Sequence, residues 1–195
     1  MIDLSGVKIG YAVTGSFCTF EKSFEQAQIL ADSGAELIPV FSFNASGIDT
    51  RFGKAKENVE RLENICKRKA ILKIEDAEPL GPKKMTDIMV VCPCTGNTCA
   101  KLSMSITDSP VTMAVKSHIR NGKPVVIALA SNDSLAGSFK NIGSLMNMKN
   151  YYFVPFKQDD CIKKPTSAVA DFTKLADTIE NALNGRQIQP VITTV

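Results

Sequence analysis

The segment Met89-Val90-Val91-Cys92-Pro93-Cys94-Thr95-Gly96-Asn97-Thr98-Cys99-Ala100-Lys101 holds the densest set of groups able to do chemistry. An apolar run ends at a proline, and small polar residues then open an amphipathic helix. That order sets free backbone N–H groups and short hydroxyls at the carboxyl end of a strand, where a helix N-terminus favours anions and polar ligands. The arrangement recurs near the amino terminus, where Lys8-Ile9-Gly10-Tyr11-Ala12-Val13 runs into Thr14-Gly15-Ser16. Ser42-Phe43-Asn44 and Ala130-Ser131-Asn132-Asp133 close two further apolar runs in the same manner. Ligands of doubly wound sheets bind beyond the carboxyl ends of the strands, so four such ends predict a nucleotide-type pocket. Gly15 permits close backbone approach, and Ser16 and Ser42 offer hydroxyls suited to a phosphate. Taken singly, each of these residues is more often a helix cap, Thr19 and Thr95 above all. Four together favour a site. The turn after Val13 is not G-x-G-x-x-G, so no dinucleotide cradle is expected in this chain.

Composition narrows the chemistry further. The net charge of +3 is too small to argue for nucleic acid, and the basic residues of 54–69 alternate with Glu57, Glu60 and Glu63 as one solvated helix face. No stretch reaches the roughly 18 apolar residues of a membrane helix. Met1-Ile2-Asp3-Leu4 lacks the basic-then-apolar order of a signal peptide, and a cytoplasmic chain is expected. Of the six cysteines, Cys92 and Cys94 fall at a strand end, Cys99 in a helix and Cys18 beside a glycine turn, which reads as reduced, mostly buried thiols rather than disulfides. Cys92-x-Cys94-x4-Cys99 is not a zinc spacing, and the single histidine, His118, lies far along the chain, so no metal site is expected. His118 itself reads as structural. No residue stands out as catalytic acid or base.

The elements that must position these groups alternate throughout 195 residues, read as one domain over 1–195. Strands are predicted at 7–13, 36–41, 87–92, 124–130 and 151–156, with a weak candidate at 70–74. Pro39 inside the second predicts an edge position or a bulge. Helices are predicted at 19–33, 54–67, 98–105, 110–120, 135–148 and 168–183. Residues 44–53 read as a polar loop and residues 157–167 as a mobile lid. The near-continuous apolar runs at 87–92 and 124–130 mark parallel strands covered on both faces. The fold class is therefore α/β, a doubly wound three-layer α/β/α domain with a mostly parallel sheet of about six strands, Rossmann-like.

Thr14-Gly15-Ser16, Ser42 and Pro93-Cys94-Thr95-Gly96-Asn97-Thr98 followed by Ala100-Lys101-Leu102 resemble the flavoprotein superfamily of cysteine-peptide decarboxylases, phosphopantothenoylcysteine decarboxylases and flavin prenyltransferases. Asp108 and Gly122-Lys123-Pro124-Val125-Val126-Ile127-Ala128 extend the likeness over nearly the whole chain. Ala130-Ser131-Asn132-Asp133 and residues 151–162 resemble in particular the B-subunit branch of dipicolinate synthases from spore-forming bacteria. The resemblance implies an FMN-type pocket between subunits, with Gly15, Ser16 and Ser42 on the phosphate, Thr95, Gly96, Asn97 and Thr98 along the ribityl and ring side, and Ser131 closing it. It implies a homo-oligomer, a trimer or a dodecamer built from trimers. It also implies oxidation of dihydrodipicolinate to dipicolinate in the mother cell of a spore-former, alongside the dipicolinate synthase A subunit, which carries the nicotinamide (NADP) site. A small dicarboxylate then requires cationic contacts, a Lys or Arg near the pocket mouth, for which Arg51 or Arg120 are examples.

Three departures limit the decarboxylase and prenyltransferase likeness. The chain has no histidine in its first hundred residues and reads Leu129-Ala130-Ser131-Asn132 where the decarboxylases carry Pro-x-Met-Asn. It also lacks the arginine that prenyltransferases carry near the position of Ser131. The open alternatives are a stand-alone FMN-binding decarboxylase or prenyltransferase-like protein, and a non-catalytic scaffold that stabilises its partner.

Overall fold

The computed structural model describes residues 4–194; Met1, Ile2 and Asp3, on which the expectation about a signal peptide falls, lie outside them. Four parallel strands form the body of the sheet: β1 (Lys8–Val13), β2 (Glu36–Phe41), β3 (Ile88–Cys94) and β4 (Val125–Ser131). They run in the order β2-β1-β3-β4, so the winding reverses between β1 and β3. Every residue of β3, and all of β4 before Ser131, is buried. Helices therefore cover both faces of the central strands, as the apolar runs predict. α1 (Phe20–Asp32), α2 (Phe43–Gly47), α3 (Ala55–Cys66) and α4 (Ile74–Ala77) belong to the amino-terminal half. α5 (Gly96–Ser103), α6 (Pro110–Ile119), α7 (Phe139–Asn147) and α8 (Leu175–Leu183) follow β3. Phe24, Ala27 and Leu30 of α1 and Val111, Ala114 and Val115 of α6 recur at helical spacing and are buried.

Pro39 lies where its missing N–H costs nothing, because β2 is an outer strand and the Pro39 carbonyl accepts from the Ile71 amide. Residues 70–74 do not form a strand. Ile71 makes an isolated bridge to Val40, and the chain turns at once into α4.

The carboxyl-terminal third departs further from expectation. The strand read at 151–156 is two strands, β5 (Tyr151–Phe153) and β6 (Phe156–Asp160), separated at Val154 and Pro155. β5 runs parallel to the first half of β4, pairing Val125 to Ile127 with Tyr151 to Phe153. β6 then turns back through Cys161 into β7 (Lys164–Ala170), which is antiparallel to the far end of β4 at Ala130 and Ser131. Residues 157–167 are thus a β-hairpin rather than a lid. Its turn is tightened by Asp160, whose Oδ1 accepts from the Ile162 and Lys163 amides at 3.0 and 2.9 Å. The helix read at 168–183 begins only at Leu175, since Ala168 and Ala170 are buried as strand residues. The sheet has seven strands in all.

Candidate functional site at the carboxyl ends of the strands

The reversal of winding leaves a crevice beyond β1 and β3. Thr14 joins its two walls. Its Oγ1 donates to the Pro93 carbonyl at 2.8 Å and accepts from the Thr95 amide at 3.0 Å, and its own amide donates to Pro93 at 3.3 Å. Thr95 caps α5, its Oγ1 accepting from the Thr98 amide at 3.2 Å and lying 3.0 Å from Thr98 Oγ1. Ser42 caps α2 through a 3.3 Å bond from the Ala45 amide. Thr19 is no such cap: its hydroxyl donates instead to the Ser16 carbonyl at 2.8 Å.

Two cavities adjoin here. The larger, about 790 Å³, is lined by Gly15, Ser16, Thr95, Gly96, Asn97 and Ser131 among others. The smaller, about 340 Å³, takes Ser42 and Thr98 and shares Gly15, Thr95 and Asn97 with the first. All eight residues predicted from sequence therefore line one cavity or the other. The two serines assigned to a phosphate do not share a cavity, since Ser16 faces the larger and Ser42 the smaller, with Gly15 between them.

Asp133, named from sequence only as part of the fourth strand end, was given no role of its own there. Asp133 accepts from Ser131 Oγ at 2.5 Å through Oδ1 and from Ser138 Oγ at 2.9 Å through Oδ2. The Ser131 hydroxyl, followed by that of Ser138, holds its pKa below the usual carboxylate range. The group sits against the first turn of α5. A Cβ added to Gly96 would fall 2.6 Å from Asp133 Oδ1 and 2.7 Å from Ser131 Oγ, so only glycine lets this loop close on the helix. The N-terminus of α5 thus carries an internal counter-charge.

Of the Lys or Arg side chains expected near the pocket mouth, the two arginines given as examples line neither cavity. Arg51 is stacked on the Phe52 ring, 4.9 Å from its centroid, and does not line either cavity. Arg120 caps the far end of α6, about 16 Å along the helix from Ser109 in the smaller cavity. The lining cations are lysines: Lys22 and Lys164 in the larger cavity and Lys101 in the smaller. Lys101 donates to Asp108 at 2.8 Å and Lys164 to Asp159 at 2.9 Å, and the Lys164 ammonium holds the Asp159 carboxyl below its ordinary pKa. Lys101 closes the segment that begins at Met89 and was findable. Lys164 lies in the stretch read as a lid.

The thiols beneath the site are not nucleophiles at neutral pH. Burial pushes Cys92 up to about 12 and Cys94 well upward. Cys94 Sγ lies 3.5 Å from Cys99 Sγ, and all six cysteines are free. His118 is remote from both cavities. Its Nε2 faces the Pro124 carbonyl at 3.0 Å, its Nδ1 faces Thr86 Oγ1 at 2.8 Å, and burial lowers its pKa to about 4. It is a neutral core residue, as expected. No helix among the described residues is long and apolar enough to cross a membrane.

Comparison with known proteins agrees with this architecture. The profile of the Flavoprotein family matches residues 2–184. The chain is 47% identical over 192 residues to the dipicolinate synthase B subunit of Bacillus subtilis, covering 98% of this chain and 96% of that one. The crystal structure of the dipicolinate synthase B subunit from Bacillus halodurans superposes with a TM-score of 0.91 at 40% identity, covering 99% of each chain. Burkholderia xenovorans DmrB in complex with FMN shares the fold at a TM-score of 0.67 and 17% identity, covering 91% of this chain and 96% of that one. The chain belongs to the Flavoprotein family, in the line of the dipicolinate synthase B subunits.

Proposed function

We propose that this chain acts as the B subunit of a dipicolinate synthase in the mother-cell cytoplasm of a spore-former, oxidising dihydrodipicolinate to dipicolinate with a nicotinamide-binding A subunit. The near full-length likeness to the Bacillus subtilis B subunit carries the reading. In the reaction the dihydropyridine ring loses a hydride to NADP⁺ on the A subunit and a proton to solvent or base. The turn Thr14-Gly15-Ser16 offers no dinucleotide cradle, which favours the nicotinamide on the partner. Reconstitution tests this. With dihydrodipicolinate and NADP, dipicolinate absorbance should rise with both subunits, above the air-oxidation blank, and not with this chain alone. Full activity from this chain alone refutes the division of labour, and equal activity from the A subunit without it reduces the chain to a scaffold.

FMN is proposed at the crevice, bound by Gly15, Ser16, Ser42, Thr95, Gly96, Asn97, Thr98 and Ser131. The residues present fit this group. Ser16 and Ser42 supply hydroxyl donors, the first amides of α5 lack intrahelical partners, and Phe52, Ala130 and Val169 give the larger cavity an apolar wall for a ring. The two cavities meet at Gly15, as a ligand with a phosphate at one end requires. FMN supplies a two-electron carrier when bound. Ser16→Asp sets a second negative charge beside the phosphate and should weaken FMN binding at least about tenfold in a fluorescence titration. Equal affinity for both proteins contradicts the assignment. Trimers or dodecamers are the proposed assembly, read from solution mass as a multiple of 21.1 kDa.

A further inference from the structure

The larger cavity brings together two cations from elements far apart in sequence, Lys22 on α1 and Lys164 at the start of β7. We propose that this pair recognises the substrate, Lys22 taking one carboxylate of a pyridine-2,6-dicarboxylate or its dihydro precursor and Lys164 the other. The assignment rests on the reading of the chain as a dipicolinate synthase subunit and names the residues that would meet its substrate.

A rigid ring with carboxylates on either side of the nitrogen needs two separate positive charges, one for each carboxylate. Four charged side chains line the cavity: Lys22, Lys164, Asp133 and Asp159. Asp133 is withdrawn, since both its oxygens accept from serine hydroxyls. Asp159 is withdrawn too, accepting from Lys164 at 2.9 Å and from Ser167 Oγ at 3.4 Å on the same hairpin. That contact fixes where the Lys164 ammonium stands while leaving its other N–H bonds to donate. The Lys22 ammonium makes no hydrogen bond or ion pair among the described residues, although its charge is felt by Asp159. No arginine lines the cavity. Two ammonium groups, strongly hydrated and without a planar fork, suit a dianion that must be released as product.

The test uses the full chain with dipicolinate and with picolinate, which lacks one carboxylate, measured by calorimetry alone and with the A subunit present. Wild type should prefer dipicolinate by about tenfold or more. Lys22→Gln and Lys164→Gln should each lose about tenfold in dipicolinate affinity while picolinate changes less, bringing the two ligands together. The surface variant Lys56→Gln should keep the wild-type preference. Because Lys164→Gln also frees the Asp159 charge, the double variant Asp159→Asn/Lys164→Gln is needed, and it should remain weak. Recovery of wild-type affinity in the double variant, an unchanged preference in both single variants, or no binding of dipicolinate by wild type would each overturn the assignment. Reconstituted activity separates the two readings. A chain that supports dipicolinate formation, yet keeps its preference without these lysines, fails only here.

Discussion

Acidification from pH 7 to 4 should cost the folded chain about 3 kcal/mol through His118 alone. The ring is 1% exposed, and its lowered pKa of about 4 compares with 6.5 for a free imidazole. Between those values the unfolded chain binds a proton that the folded chain refuses, so stability rises with pH across this window. The contribution is complete above about 6.5 and gone below about 4. Burial is the main cause, and both ring nitrogens are already engaged, by Thr86 Oγ1 and the Pro124 carbonyl. Carboxylates held low by their partners, among them Asp87, Asp133 and Asp159, add their own losses mostly below this window. His118→Gln keeps an N–H donor but takes up no proton. Its chemical-denaturation stability should fall much less between pH 6.5 and 4 than that of wild type. Parallel curves for the two proteins would show that the histidine is not the titrating group.

Gly81→Ala should be among the most damaging single-methyl changes in the chain. The backbone at Gly81 is helical, with φ −77°, so alanine meets no conformational objection there. Space is the obstacle. A Cβ would fall 1.9 Å from the Ser117 carbonyl oxygen and 2.5 Å from both its carbon and Oγ. These are atoms of α6, not the end of a flexible side chain. Moving them also breaks the bond from the Gly81 amide to Ser117 Oγ at 2.6 Å and the bond from Asn121 Nδ2 to the Gly81 carbonyl at 2.8 Å. We expect a loss of about 3 kcal/mol, which lowers Tm by about 6–12 °C in a domain of this size. Gly143→Ala in α7 should move Tm the other way by about 1–3 °C, because nothing lies within 4 Å of the added methyl and the helix gains propensity. A Gly81→Ala protein that melts with wild type would mean that α6 yields freely at Ser117.

Much of the site was legible because it is written in local chemistry. Val90 to Pro93 and Val125 to Ala130 are apolar without interruption, and only central parallel strands read so. The residues after each, Thr95 and Ser131 among them, have few structural uses outside caps and sites. The hairpin was not legible. Lys157, Gln158 and Asp159 carry no hydrophobic alternation, and β6 and β7 are held by pairing with each other more than by burial. Ala168 and Ala170 fit a helix as well as a strand, and only their pairing with Gln158 and Phe156 decides. Lys22 and Lys164 share no sequence signal at all, since what unites them is that α1 and β7 both border the larger cavity. The same holds for Asp133, whose role depends on a serine five residues on and a glycine thirty-seven residues back.

The two flanks of the sheet have a consequence for assembly. On one side Pro39 withholds a donor and Ile71 covers part of the open backbone of β2. On the other, the Phe156 amide and carbonyl of β6 are taken by Val191 and Thr193 of the final segment, and charged Lys157 and Asp159 follow. Neither margin is left as a bare template for a neighbouring strand, the route by which exposed edges polymerise. Strand addition at these two margins, which would run on into fibres, is therefore disfavoured, and the proposed assembly would form through side chains on helices and loops.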